Sequence, residues 1–161
     1  MTFTFPATRP DESPVEMWAL QRELLCRLEA SLGAPSAGKQ LCQPVFGEGR
    51  PHVINTPDLS GAYAKLSTAA AGYWPTAVFE LAHECVHLLD PVVGATNFLE
   101  EGIAASFSIE MSAEAGHRMT YEQSPEYGRA LELIGFLPSS PLLVGRMIRN
   151  RCGALSSAND G

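Results

Sequence analysis

Half of the histidines in this chain fall in one short stretch, His83-Glu84-Cys85-Val86-His87. On a helix, residues i and i+4 share one face, a turn apart. Two imidazoles so placed can bring their ring nitrogens to a single tetrahedral zinc ion at about 2.0–2.1 Å. Glu84 stands beside the first histidine, where a carboxylate reaches a water on such an ion without ligating it. The chemistry this points to is hydrolysis by a zinc-activated water with Glu84 as general base. The plain alternative is a pair of surface histidines on an amphipathic helix.

Such a site needs a helix to carry it and a further ligand to complete it. Ala77, Val78, Leu81, Ala82, Cys85, Val86, Leu88 and Leu89 recur at helical spacing, and Asp90-Pro91 ends the run. The spacing predicts a helix over about Pro75 to Leu89. A catalytic zinc takes three protein ligands and keeps one position open. The next apolar stretch opens at Asn97 and offers two adjacent carboxylates, Glu100 and Glu101. Glu100 is at the third helical position behind Asn97, where a capping box accounts for it. Glu101 has no such structural explanation. Gly102, Ala104 and Ala105 are small enough to let this helix approach the histidine helix closely.

The combination of H-E-x-x-H with a following helix bearing Glu101-Gly102-Ile103-Ala104, E-G-x-A, resembles the gluzincin metallopeptidases. The likeness covers about Thr76 to Phe107 and suggests a small, single-domain, minigluzincin-like member. It implies a zincin-like fold, a Zn2+ cofactor held by His83, His87 and Glu101, and Glu84 as general base. It implies a peptide or protein as substrate. Some gluzincins place an aspartate four residues after the third ligand to orient a ligating histidine. Here that position is Ala105, so Asp90 is the first substitute and Asn97 a further one. An oxyanion donor often comes from a later helix in that clan, which nominates Tyr127, then Tyr121 and His117. The strand at Ala62 to Leu66 would form the rim of the cleft, open to an extended peptide. His52 reads as a surface or core histidine, and Cys85 as a small buried apolar residue.

The remaining elements must frame that site. Ser13-Pro14, with Glu16 placed for a capping box, starts a helix that runs to Leu32 and stops at Gly33. Ala34 to Lys39 reads as a loop. Leu41–Phe46, His52–Asn55 and Ala62–Leu66 are short runs separated by turn residues, which predicts a small antiparallel sheet of about three strands. The glutamate helix runs to about Ala115. Ser124-Pro125 and Ser140-Pro141 each open a C-terminal helix. The expected class is α+β, with residues 1–152 a single domain and 153–161 a flexible tail. Arg146, Arg149 and Arg151 read as a solvated helix face.

The whole chain has 161 residues, 45% of them apolar, which is one globular domain with a real core. A net charge of −7 lacks the electrostatic footprint of a nucleic-acid partner. No apolar run is long enough for a membrane span, and Met1 to Pro6 lacks the pattern of a signal peptide. The four scattered cysteines contain no C-x-x-C pair and read as free thiols, which fits a cytoplasmic protein. Two other functions are open. One is a regulatory H-E-x-x-H protein acting on one specific partner protein. The other is a non-catalytic metal-binding interaction domain, which needs a fourth protein ligand from His117 or Cys85.

Overall fold

The computed structural model describes residues 4–35, 38–121 and 124–158. Met1–Phe3, two residues of the expected Ala34–Lys39 loop and the last three of the expected tail lie outside the described residues. The chain is α+β, with four short strands between the first helix and the others. The first helix, α1 (Pro14–Leu32), has proline in its first turn and ends at Gly33, whose φ of 91° suits glycine. Leu20, Leu24, Leu28 and Leu32 form its buried stripe. The capping box expected at its start does not form, because the Ser13 hydroxyl pairs with Thr8 instead.

The strands are β1 (Gln40–Leu41), β2 (Val45–Gly47), β3 (His52–Asn55) and β4 (Gly61–Ser67). The sheet is not the antiparallel meander expected from the sequence. β1 and β2 both run parallel to β4, and only β3 pairs with it antiparallel. Ala62 faces Leu41 on one side and Asn55 on the other, so β1 and β3 flank β4. Lys65 likewise separates Val45 of β2 from His52 of β3. The run read as one strand is therefore two, interrupted at Cys42 to Pro44, where proline offers no N–H to the ladder. β4 takes the centre because Ala62, Ala64 and Leu66 on one face are completely buried. The turn after β2 spans over β4 and makes no hairpin, leaving β3 as the outer strand instead of Ala62–Leu66.

A single turn, α2 (Thr68–Gly72), is capped by Ser67, which accepts from the Ala70 N–H. The central helix follows as α3 (Trp74–Leu89), with every residue buried except Thr76 and Glu80. Such all-round burial marks a helix inside the core. Glu80 reaches back to the Ser67 N–H at 2.8 Å and hydroxyl at 2.6 Å, tying α3 to the end of β4. The next helix is α4 (Phe98–Glu114), whose Asn97 cap accepts from the Glu100 N–H at 2.9 Å. The C-terminal pair is α5 (Pro125–Ile134) and α6 (Pro141–Cys152). Among the described residues, no helix is long and apolar enough to cross a membrane. The cysteines form no disulfide.

The tail and the last helix are more firmly held than their sequence implies. Leu155 is buried, and Asn97 Nδ2 donates to the carbonyls of Leu155 and Ala158. Arg149 is also buried, a correction to the solvated face expected of the C-terminal arginines. Its guanidinium donates to both Asp90 carboxylate oxygens, at 2.7 and 3.0 Å. The same group donates to the carbonyls of Leu32, Gly33 and Ala34. One planar fork thus closes the C-terminal ends of α1 and α3 together.

Gly102 lies on the opposite face of α4 from the one expected. A Cβ there would meet Ile134 Cγ2 at 2.5 Å and the Ala130 carbonyl oxygen at 2.8 Å. The small residue admits α5, the helix that carries Tyr127, in place of α3. Gly102→Ala is expected to cost about 1–3 kcal/mol by overpacking, read as a lower urea midpoint. A midpoint at or above that of the parent would contradict this packing.

Candidate metal centre

His83 and His87 project from one face of α3 with ring centroids 5.1 Å apart. α4 crosses this face and presents Glu101. His83 Nε2 lies 3.2 Å from Glu101 Oε2, and His87 Nε2 lies 3.7 Å from Glu101 Oε1. One donor atom from each of the three residues lies within 4.8 Å of the others, and this group could hold a metal ion. A tetrahedral ion with ligands at about 2.0–2.1 Å spaces its donors roughly 3.3 Å apart. The donor set, two imidazoles and a carboxylate, suits zinc.

The other ring nitrogens are taken up from behind. His87 Nδ1 is 2.8 Å from Glu100 Oε1. A carboxylate accepts, so His87 carries a proton on Nδ1 and presents its Nε2 to Glu101. His83 Nδ1 is 2.9 Å from the Tyr121 hydroxyl, which also lies 3.0 Å from Ser108 Oγ. These contacts change three expectations. Glu100 does more than occupy a capping position, because its side chain supports His87. Asp90, expected to orient a histidine, is engaged by Arg149 at the end of α3. Tyr121, expected as a possible oxyanion donor, sits behind His83. Thr96 donates to Glu101 Oε1 and helps fix the carboxylate that faces the histidines.

Tyr127 stands at the start of α5 with its ring 5.0 Å from that of His83 and 4.6 Å from that of Tyr121. It lines a cavity of about 250 Å³ together with His83, Glu84, His87 and Glu101. His52 and Val53 of β3 form part of the opposite wall. His52 is fixed by its Nδ1, 2.9 Å from the Arg50 carbonyl. The loop after α3 closes another side and is pinned to the sheet. Lys39 donates to the Pro91 carbonyl and Asn55 to the Val92 carbonyl. His117 is elsewhere, packed on Phe5 and Tyr73 with centroids 5.5 and 6.4 Å away. Cys85 is completely buried in the apolar core.

Burial and neighbouring charges set the protonation of the group. Burial pushes the Glu84 carboxyl up to about 8. Its Oε2 accepts no hydrogen bond from the described residues. Burial also lowers the His83 value, favouring the neutral ring. At His87 burial works the same way but is outweighed by the Glu100, Glu84 and Glu101 carboxylates, and the value rises. Burial opposes charge on Glu101 too, yet contacts with His83, His87 and Thr96 prevail and bring it down to about 2. Tyr127 is raised by burial to about 12, so its hydroxyl keeps its proton.

No known family model matches the chain, and no curated protein or solved structure matches it.

The Glu84 value carries a pH consequence in the metal-free protein. Its carboxyl rises from 4.5 to about 8 on folding, so between those values the folded state holds the extra proton. The stability it contributes is present at pH below 4.5 and is lost as pH rises through about 8. Chelator-treated parent protein is expected to lose stability over that interval relative to Glu84→Gln. Parallel stability–pH curves in urea unfolding would show that the carboxyl is not so perturbed.

Proposed function

We propose that this chain is a zinc-dependent peptidase with a zincin-like arrangement of central helix, glutamate helix and flanking strand. The observation that carries the reading is the convergence of His83 Nε2, His87 Nε2 and Glu101 beside the buried Glu84 carboxyl. Two imidazole nitrogens and a carboxylate at 3.2 and 3.7 Å face one position that a proton or a metal ion can fill. A histidine pair on a surface helix has no reason to be buried or to be backed by Glu100 and Tyr121.

A zinc ion held there supplies a Lewis acid for carbonyl polarisation and water activation. The protein's own groups do the rest. Glu84 accepts a proton from the attacking water and returns it to the leaving nitrogen. Its raised value drops toward working pH beside a dication. The Tyr127 hydroxyl donates to the carbonyl oxygen as negative charge builds. β3, the outer strand on the cavity wall, offers backbone groups to an extended peptide. The closed four-ligand alternative is disfavoured, since His117 and Cys85, the residues it would draw on, lie away from the three donors.

Elemental analysis and peptide cleavage test this together. The parent is expected to hold near-stoichiometric zinc and His87→Ala little. Glu84→Gln is expected to keep zinc while losing cleavage by about 100-fold or more. Equal turnover in Glu84→Gln and the parent, or a parent with no zinc, would overturn the proposal.

A further inference from the structure

Ser108 is completely buried on α4, away from the metal-facing oxygens, and its hydroxyl has one proton to give. That proton goes to the Ala105 carbonyl, 2.9 Å away, because a carbonyl oxygen accepts and cannot donate. At the 3.0 Å contact between Ser108 Oγ and Tyr121 Oη, the tyrosine must then be the donor. The tyrosine has now spent its own proton. At the 2.9 Å contact with His83 Nδ1, its oxygen must accept from the ring N–H. The ring's Nε2 is also within hydrogen-bond reach of Glu101 Oε2, at 3.2 Å, so without an ion the relay and that carboxylate compete for the one ring proton, and an ion on Nε2 would leave it to the relay.

We propose that Ser108 and Tyr121 form a one-way hydrogen-bond relay that draws the His83 ring proton to Nδ1 against the competing Glu101 carboxylate and so positions the ring as a metal ligand. Both are positioning residues, since neither faces the ion. The inference rests on the zinc reading of the site. It goes further by assigning a role to two residues that the H-E-x-x-H pattern does not contain.

The relay also explains an asymmetry in the centre. His87 is backed by the Glu100 carboxylate, whereas His83 is backed by neutral hydroxyls. Glu84, Glu100 and Glu101 already crowd carboxyl groups around this buried point. A carboxylate behind His83 would add a further negative charge to a poorly solvated site. A hydroxyl chain ending on a helix carbonyl orients the ring without that charge. Aromatic packing holds the tyrosine in place, with the Phe79 and Tyr127 ring centroids 4.7 and 4.6 Å from its own.

Two measurements test the relay. In metal-free protein with 15N-labelled histidine, long-range proton–nitrogen spectra report the tautomer of His83, assigned by the signals lost in His83→Asn. The parent is expected to hold a measurable Nδ1–H population. In Ser108→Ala the freed tyrosine proton turns to His83 Nδ1, and the Nε2–H form is expected to gain population. Zinc affinity, read by competition with a chromophoric chelator, is expected to fall roughly 10–100-fold in Ser108→Ala and in Tyr121→Phe. The double variant is expected to bind no more weakly than the weaker single, because the relay acts as a unit. Circular dichroism checks that each variant is folded. A parent ring wholly in the Nε2–H form overturns the relay. So does a Ser108→Ala variant with the parent's tautomer, or a Tyr121→Phe variant with the parent's zinc affinity. A parent that shows Nδ1–H but binds no zinc supports the relay's direction and overturns the zinc reading.

Discussion

Three ligand atoms that converge on one spot need a proton or a cation between them, and most of this fold keeps them there. His83 Nε2, His87 Nε2 and the Glu101 carboxylate face one another across 3.2 and 3.7 Å. Bulk water contributes little there, because both histidines are buried. The arrangement holds because each group is gripped from behind. Glu100 takes the His87 N–H, Tyr121 meets His83, and Thr96 binds Glu101. A site built this way could hold a metal ion, and its support is distributed over α3, α4, the Pro91–Asn97 loop and the segment before α5.

The architecture reads as support for that point. α3 has to be apolar on nearly every side, since the sheet, α1 and α4 all pack on it. Its end is locked by Arg149, which joins Asp90 to the last carbonyls of α1. α4 must pass close to α5, and Gly102 makes room. That approach sets Tyr127 against the histidines. The fold thus links a packing constraint on α4 to the position of a chemical group on α5.

The sequence is legible where a property is local. The α1 boundaries follow from Pro14 and Gly33, and the other long helices from proline starts and apolar periodicity. The His83–His87 pair follows from helical geometry. Glu100 was legible in its backbone role, because Asn97 does accept its N–H, but illegible in its side-chain role. A capping pattern specifies where a helix begins and says nothing about what lies across from it. The Tyr121–Ser108 contact joins residues 13 positions apart on different segments, and no periodicity marks it. Strand direction was illegible for a related reason. Short runs with a turn between them suit a hairpin, yet the buried alanines of β4 compete better for the middle of the sheet.

By itself, then, the chain determined its α+β class, the limits of its long helices and the face on which His83 and His87 sit. These depend on neighbours within a turn or two, where backbone geometry is periodic. Tertiary structure decided which carboxylate faces the histidines and which supports one of them. It also decided that Asp90 serves Arg149, that Tyr121 stands behind His83, and that β3 is the outer strand on the cavity wall. Those outcomes turn on how α4 and β4 rotate and dock against α3. A shift of one residue on a helix turns a side chain by about 100°. That angle separates Glu101, facing the histidine Nε2 atoms, from Glu100, which backs His87.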